Sequence, residues 1–328
     1  MKKTQRWVWG GVCAVAMALG LGATAPSYAA GAQTIEFIPS ESTTPYFLRE
    51  YDGIKQEAAK YGYKTLFRAP FAISDVSSQI NMTDTAITRG VAGIILVPSS
   101  PTALLPPVHR AMAQKIYVIA TDSTLTPMDA ATYIAVPNEK AAAAAADFAA
   151  NMVHGNGQYA IIDYSLSTSS GRQRNDGFRS GMAKYPGMTF AGLQLSNGVP
   201  QTALQEATTL LERNPKINVI FGANDRSALG VAEAVERMHM QDKVVVVGFD
   251  ADLGEIGYIK SGVIKASVLQ SPVLMGEQAV DALHTLFTNG GQPIPKEIPV
   301  PFTLVTSKNV GEPASISAIG QYIGGYKG

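Results

Sequence analysis

The stretch Val244–Asp250 (VVVVGFD) decides the fold class of this 328-residue chain. Four consecutive valines followed closely by a carboxylate are typical of a strand that is buried on both faces of a parallel sheet. A segment of helical length with apolar residues three and four positions apart precedes it at Arg226–Met238, and another short apolar run follows at Ala266–Leu269. This alternation predicts an α/β fold with helices on both faces of parallel sheets.

The same alternation extends along the chain toward its N-terminus. Further predicted strands are Ile35–Ile38, Lys64–Phe67, Ala92–Val97, Ile116–Thr121, Tyr159–Ile162 and Val219–Phe221. Further predicted helices are Tyr46–Tyr61, Ser74–Thr88, Glu139–Met152, Arg172–Lys184 and Ala203–Arg213. So many units of one kind predict two doubly wound parallel-sheet lobes.

Three breaks divide these units into two similar sets. They fall near Ala135–Asn138, at Leu269–Pro272 and at Pro299–Phe302, where apolar runs end beside prolines. Several crossing segments can act as a hinge, because a few residues at element ends can absorb a closing motion. We therefore expect a three-segment hinge, with an N-terminal lobe of residues 31–136 and 271–299, a C-terminal lobe of residues 137–270 and 300–307, and a poorly packed Gly-rich tail at 308–328.

The N-terminal residues predict an export signal. Three cationic residues precede an apolar run at Trp7–Ala23, and small residues around Ser27–Ala29 supply a cleavage site. Residues 1–29 are therefore predicted to be a signal peptide that is removed near Ala29, which predicts a periplasmic protein. The single cysteine, Cys13, lies in the apolar run, so we expect the mature chain to contain no thiol and no disulfide.

Composition and motifs argue against several functional classes. The balance of 26 basic and 26 acidic residues, without basic clusters, is atypical of proteins that bind nucleic acid or anionic membranes. The four histidines are scattered without metal-ligand spacing, and neither a G-x-S-x-G turn nor a G-x-x-x-x-G-K-[ST] loop occurs. We therefore expect no cofactor, no metal and no enzymatic activity.

Polar and aromatic side chains follow the predicted strands at the edge where open parallel sheets bind ligands. Carboxylates accept hydrogen bonds from neighbouring hydroxyls, amides both donate and accept, an arginine donates in a fork, and aromatic rings cover C–H faces. This combination predicts a site for a small polyhydroxy molecule. The candidate ligand contacts are Ser40, Thr44, Tyr46, Phe47, Asp122, Arg172, Asn224, Asp250 and Gln270.

Some of these positions also have plain structural interpretations. Asp225 precedes a helix and is interpreted as its N-cap rather than as a ligand contact. Asp122 alone is compatible with a simple turn former, and Phe249 is interpreted as a core residue. Arg174 and Asp176 are interpreted as part of a solvated helix face.

In its order of motifs, the sequence resembles the type I periplasmic binding proteins of sugar importers, the ribose-binding-like family, from about residue 34 to residue 306. The resemblance is carried by Ser40–Phe47, Asp52–Gly53, Val118–Asp122, Arg172–Phe178, Phe221–Asp225, Ala228–Gly230 and Val246–Asp250. It implies ligand contacts from the nine candidate residues, closure of two lobes around a sugar, and a monomer that delivers the sugar to the membrane permease of an ABC importer.

The sequence departs from the ribose binder at three positions. Thr44 stands where that protein has Asn, Ser123 where it has Arg, and Gly198 near the position of an aromatic residue. The ligand therefore need not be ribose, and a different pentose, a hexose, a deoxysugar, another polyol or a furanose-like signal molecule remains open.

Three other functions are weighed against this one. Docking to a chemoreceptor or a sensor kinase would use the same closed shape. A lactose-repressor-like regulator core shares the fold, but the export signal and the missing basic footprint disfavour it. An enzyme acting on a sugar would need Asp122 and Asp250 as an acid and base pair. The accessory groups that such catalytic sites contain are missing from the sequence, which disfavours this function.

Overall fold

The computed structural model describes residues 33–323 of the chain. The predicted signal peptide, its cleavage site near Ala29 and the last five residues of the predicted tail lie outside these residues. Within them the strands are β1 (Thr34–Ile38), β2 (Lys64–Phe67), β3 (Gly93–Leu96), β4 (Tyr117–Thr121), β5 (Thr132–Ala135), β6 (Asn156–Asp163), β7 (Gly187–Leu195), β8 (Ile217–Gly222), β9 (Val245–Asp250), β10 (Ile264–Leu269), β11 (Glu297–Pro299) and β12 (Thr303–Thr306). The helices are α1 (Pro45–Lys60), α2 (Val76–Arg89), α3 (Leu105–Ala113), α4 (Asn138–Met152), α5 (Ser169–Met182), α6 (Pro200–Arg213), α7 (Asp225–Arg237), α8 (Leu253–Ser261), α9 (Pro272–Thr288) and α10 (Pro313–Ile323).

The strands of the described chain form two six-stranded sheets. The first has the order β11-β5-β4-β3-β1-β2, and all of its pairs are parallel. The second has the order β12-β10-β9-β8-β6-β7 and is parallel except where β12 runs against β10. Each sheet has helices packed on it, so the predicted α/β fold of two doubly wound lobes is confirmed.

Between residues 33 and 323 the chain passes three times from one sheet to the other. It crosses after β5, after β10, and between β11 and β12. Helix α9 packs on α1 and on β4 and β5, so it covers the first sheet although it follows a strand of the second. The residue limits given above for the two lobes stay a prediction.

Close helix contacts fix the elements that carry the site. A Cβ atom at Gly276 of α9 would lie 2.2 Å from the carbonyl oxygen of Glu50 in α1. A Cβ atom at Gly177 of α5 would lie 2.3 Å from the carbonyl oxygen of Glu139 in α4. Because no side chain fits between these backbones, each helix pair is held at one depth and in one rotation.

The residues from 308 to 323 correct one prediction. They include α10, which packs against α1 and α9, and both Val310 and Ile319 are buried. Ser315 and Ile319 lie four residues apart, so they share one face of the helix and turn it toward the core. The prediction of a poorly packed tail is therefore wrong for this part of the segment.

The sequence pattern did not indicate β7 as a strand. It is the edge strand of the second sheet, and only Met188 among its nine residues is buried. An edge strand that is largely accessible has no continuous apolar run, so the signal that identified β9 is absent from it. In the described residues no helix is both long and apolar enough to cross a membrane.

Candidate ligand-binding cleft

A cavity lies between the two sheets, where the loops that follow their strands meet. It contains about 420 Å³ of space free of protein atoms, part of it open to solvent. Eight of the nine candidate ligand contacts line it, namely Ser40, Thr44, Tyr46, Phe47, Asp122, Asn224, Asp250 and Gln270. The rule that ligands bind beyond the carboxyl ends of parallel strands therefore identified one shared cavity from separate sequence positions.

Two aspartates at the cavity have positive backbone φ angles, a conformation that residues other than glycine rarely adopt. Asp122 follows β4 with φ 55°, and Asp250 ends β9 with φ 97°. Such conformations cost on the order of 1–3 kcal/mol each and persist where the surroundings hold them. At Asp122 the backbone N–H donates to the Ile134 carbonyl, and the Tyr133 hydroxyl donates to the Asp122 carbonyl. These bonds fix the sharp turn that ends β4 at the cavity.

Arg174 of α5 connects the carboxylates of the two sheets. Its guanidinium nitrogens lie 3.4 Å from Asp122 Oδ1 and 3.6 Å from Asp250 Oδ1. The Nε atom donates to Asn138 Oδ1 at 2.8 Å, and the guanidinium lies 3.9 Å from the centre of the Phe249 ring. Because Arg174 is only 2% exposed, the prediction that it belongs to a solvated helix face is wrong.

The structure does not bring Arg172 into the cavity. Its Nη1 atom donates to the carbonyl oxygens of Leu166 and Ser167 in the loop before α5, at 2.7 and 3.1 Å, and Arg172 is not part of the cavity lining. The helix starts directly after its N-cap, Thr168. Two positions along a helix differ by roughly 200° around its axis, so Arg172 and Arg174 face opposite directions and only one can reach the cleft.

The start of α7 differs from the prediction made for Asp225. The N-cap of α7 is Asn224, whose Oδ1 accepts from the Ser227 N–H at 3.0 Å. Asp225 is the first residue of the helix, and its own N–H donates to Asp250 Oδ2 at 3.1 Å. The prediction of Asp225 as the N-cap is wrong, and both side chains line the cavity.

A short chain of hydrogen bonds links α1 to the second sheet. The Tyr46 hydroxyl donates to Gln270 Oε1 at 3.3 Å, and Gln270 Nε2 donates to Asp250 Oδ1 at 2.5 Å. The Phe47 ring meets the Tyr46 ring edge to face at 5.5 Å between centroids. The aromatic pair therefore forms one wall of the cavity. The Tyr46 hydroxyl is hydrogen-bonded to the second lobe through Gln270, which lies where the chain crosses between the sheets after β10.

Acidic side chains outnumber cationic ones in the cavity lining, where Glu41, Asp122, Asp225 and Asp250 accompany Arg174. Burial raises the pKa of Asp122 to about 6, although Arg174 lowers it and Asp250 raises it further. Burial, followed by the charge of Asp250, also raises the pKa of Asp225. Among the described residues Arg174 is the only cationic side chain that lines the cavity. The site can therefore accept hydrogen bonds from hydroxyl groups and disfavours an anionic guest.

Sequence reasoning missed several hydroxyl groups, which lie in the loop after β6, in the first turn of α5 and in the loop after β4. The Tyr164 hydroxyl and Ser170 Oγ share a hydrogen bond of 2.6 Å, and Ser170 Oγ shares another of 2.6 Å with Ser123 Oγ from the first lobe. All three residues line the cavity. The strand-end rule could have found Tyr164, because it directly follows β6. Nothing in the local sequence indicated that Ser170 would approach Ser123 across the cleft.

Comparison with known proteins agrees with this geometry. A model of the periplasmic binding protein domain matches residues 35–292. The chain belongs to the periplasmic binding protein family. The ribose import binding protein of Bacillus subtilis is 28% identical over 276 residues, which are 84% of this chain and 88% of that protein.

Solved structures of family members have the same fold. A carbohydrate transporter solute binding protein from Agrobacterium radiobacter, in complex with D-arabinose, superposes with a TM-score of 0.84 at 28% identity and covers 88% of this chain and 99% of that one. An ABC transporter solute binding protein from Agrobacterium vitis, with bound D-fucose, gives a TM-score of 0.82 at 28% identity and covers 86% and 98%. The fold is therefore that of the type I periplasmic binding proteins.

Proposed function

We propose that this periplasmic binding protein captures a monosaccharide or a related polyol by closure of its two lobes and delivers it to the membrane permease of an ABC importer. The observation that carries the proposal is Arg174, which is buried between Asp122 of one lobe and Asp250 of the other in a cavity lined by hydroxyl and amide groups. The sugars named for the relative and the two solved structures support the same class of ligand.

Capture follows from how the polar groups are divided between the lobes. Asp122 and Tyr46 belong to elements of the first lobe, and Arg174, Asn224 and Asp250 to elements of the second. A ligand that bonds to both sets binds the closed form more tightly than the open form and shifts the population toward it. Carboxylates and amides suit hydroxyl groups, and the Tyr46 and Phe47 rings cover the C–H face of a sugar ring. The proposed contacts are the eight candidate residues that line the cavity, together with Arg174 in place of Arg172.

The ligand is proposed as a class rather than as one sugar. Ser123 of the first lobe presents a hydroxyl that bonds to Ser170, and no cation stands at that position. This side of the cavity therefore supplies fewer charged donors than the ribose binder described above, so ribose is not assigned. Pentoses, hexoses, deoxysugars and other polyols are the compounds to test.

The remaining parts of the function are proposed on the same basis. The family to which the chain belongs and the predicted signal peptide support a periplasmic location, and cleavage near Ala29 stays a prediction. We propose a monomer that binds its sugar without converting it, as binding proteins of this family do. Docking to a chemoreceptor stays a prediction as well.

A thermal-shift panel of neutral sugars tests the proposal. A compound that binds only the folded protein raises the melting temperature, by an amount that grows with its concentration relative to the Kd. We expect at least one pentose, hexose, deoxysugar or polyol to raise it. We expect D-glucuronate and D-galacturonate to raise it less than D-glucose and D-galactose, because the cavity is already anionic.

Two results would contradict the proposal. One is a panel in which no neutral sugar or polyol raises the melting temperature. The other is a uronate that stabilises the protein more than every neutral compound does. If NMR showed that the protein converts the bound sugar into another compound, the protein would be an enzyme instead.

A further inference from the structure

A side chain that does not line the cavity bridges the two lobes at its rim. Arg226, the second residue of α7, extends from the second lobe to the loop that follows β1 in the first. Its Nη1 atom lies 3.2 Å from Glu41 Oε2, and its Nη2 atom donates to Thr43 Oγ1 at 3.1 Å. We call Arg226, Glu41 and Thr43 the rim bridge. Glu41 lines the cavity, whereas Arg226 does not.

Both ends of the rim bridge are held in place by their own lobes. Arg226 Nη1 also donates to the Gly198 carbonyl at 3.0 Å, in the loop after β7. On the other side, Thr43 Oγ1 donates to Glu41 Oε2 at 2.9 Å. Because these contacts orient the guanidinium and the carboxylate in advance, less side-chain freedom is lost when the two meet.

The side chains of the ion pair in the rim bridge are largely shielded from solvent. The side chains of Arg226 and Glu41 are 17% and 13% exposed, against 64% for Arg237 in its ion pair with Glu233 on the same helix. A partly desolvated, hydrogen-bonded ion pair is stronger than a fully solvated one.

Several other contacts between the lobes are hydrogen bonds rather than ion pairs. Ser123 with Ser170, and the Thr124 N–H with Ser169 Oγ, are hydrogen bonds of neutral groups next to the cavity. Among the described residues the ion pairs that cross between the lobes are those of Arg174 with Asp122 and of Arg226 with Glu41. The Arg174–Asp122 pair belongs to the proposed sugar site. In the Arg226–Glu41 pair the cation lies outside that site.

We propose that Arg226 is a latch residue that holds the closed form and slows release of the ligand without itself contacting the ligand. The inference rests on the proposed function, since it concerns closure around the same cavity. The bridge exists only when the lobes meet, so it stabilises the closed form and contributes nothing to the open form. Arg226 therefore acts as a positioning residue, and its main effect falls on the dissociation rate.

Distances between spin labels test the latch without any ligand. Cys13 is the only cysteine of the chain, so a Cys13→Ser chain has no other thiol to label. The labels are attached to Phe71→Cys in the first lobe and Leu253→Cys in the second, because the native side chains there are 80% and 57% exposed. In the ligand-free protein we expect Arg226→Met to lower the ratio of closed to open molecules about fivefold, the size of effect given by an ion pair of this kind.

Two matched variants separate a latch from a general effect of charge. Arg237→Met removes an arginine and an ion pair from the same helix but breaks no contact between lobes, and we expect it to leave the label distances unchanged. Arg226→Lys keeps the charge and should restore part of the closed population. For the neutral sugar with the largest thermal shift in the panel, Arg226→Met should also speed dissociation about fivefold while association changes less than twofold.

The outcomes distinguish this inference from the proposed function. Label distances that are the same in Arg226→Met and in the wild type overturn the latch, as does an equal change in Arg237→Met. A loss of closed molecules in Arg226→Met, together with a panel in which no sugar binds, supports the latch and overturns the ligand class instead.

Discussion

At the scale of single residues, Arg174 has the largest expected effect on binding. It is buried between carboxylates from both lobes, so removal of its charge leaves Asp122 and Asp250 facing each other without a cation. We expect Arg174→Met to weaken sugar binding by about 2–5 kcal/mol, the usual effect of truncating one partner of a buried charged pair. Isothermal titration calorimetry with the sugar that gives the largest thermal shift measures this loss.

The matched control is two residues away on the same helix. Arg172→Met removes a cation whose hydrogen bonds go to the carbonyls of Leu166 and Ser167, so we expect the Kd to stay within about twofold of the wild type. Circular dichroism confirms that both variants are folded. Equal losses in the two variants would contradict the assignment of Arg174 to the site.

The residues of the site differ in how far they could be predicted. Asp122, Asn224 and Asp250 could be predicted because each follows a strand, and the ends of parallel strands share one edge of a sheet. The choice between Arg172 and Arg174 could not be made in this way, because it depends on where α5 begins and on its rotation. That rotation is set by contact with α4 through Gly177, a tertiary contact that local sequence does not encode.

At the scale of elements, the crossing of α1 and α9 depends on a missing side chain. A methyl group at Gly276 would lie 2.2 Å from the Glu50 carbonyl oxygen, so the two helices would have to separate. We expect Gly276→Ala to lower the free energy of unfolding by about 1–3 kcal/mol, as overpacked cores do. Urea unfolding measures the change.

Gly257 of α8 provides a control of opposite sign. It lies inside a helix, and apart from the neighbouring backbone of that helix no described atom lies within 4 Å of the position of an added methyl group. We expect Gly257→Ala to raise the free energy of unfolding by about 0.5–1 kcal/mol, because alanine is the better helix former. A Gly276→Ala protein as stable as the wild type would show that this crossing is not tightly packed.

The elements themselves were predictable in proportion to their burial. All six residues of β9 are buried, and its valines gave an unbroken apolar run. In contrast β7 is an accessible edge strand, and β11 has only three residues, so neither produced a periodic signal. Packing against neighbours, rather than local propensity, decides such strands.

At the scale of the whole molecule, buried carboxyl groups make stability depend on pH. Glu50 of α1 is fully buried, so its carboxyl group has no contact with bulk water. Burial raises its pKa from 4.5 to about 8, the charge of Asp122 adds to the rise, and the nearby Thr121 hydroxyl opposes it. The folded protein therefore keeps a proton that the unfolded chain loses, so the free energy of unfolding falls as the pH rises from about 4.5 to about 8.

We expect the urea midpoint to be lower at pH 8.5 than at pH 5.5, and Glu50→Gln to reduce this difference, since glutamine has no proton to lose. The exposed Glu139 supplies the control, because Glu139→Gln should leave the difference between the two midpoints as in the wild type. A Glu50→Gln protein with the full wild-type difference would contradict the role of this carboxyl group.

The repeated passage of the chain between the two sheets has a consequence for how the protein is made. Strand β11, which forms one edge of the first sheet, and α9, which covers it, are encoded near the C-terminal end, after every parallel strand of the second sheet. A ribosome that has completed β5 has therefore produced a half-covered sheet that cannot mature until almost the entire polypeptide has emerged. We therefore expect the first lobe to stay unfolded until late in synthesis, and an unfolded segment is the form of a polypeptide that can be threaded through a narrow export channel.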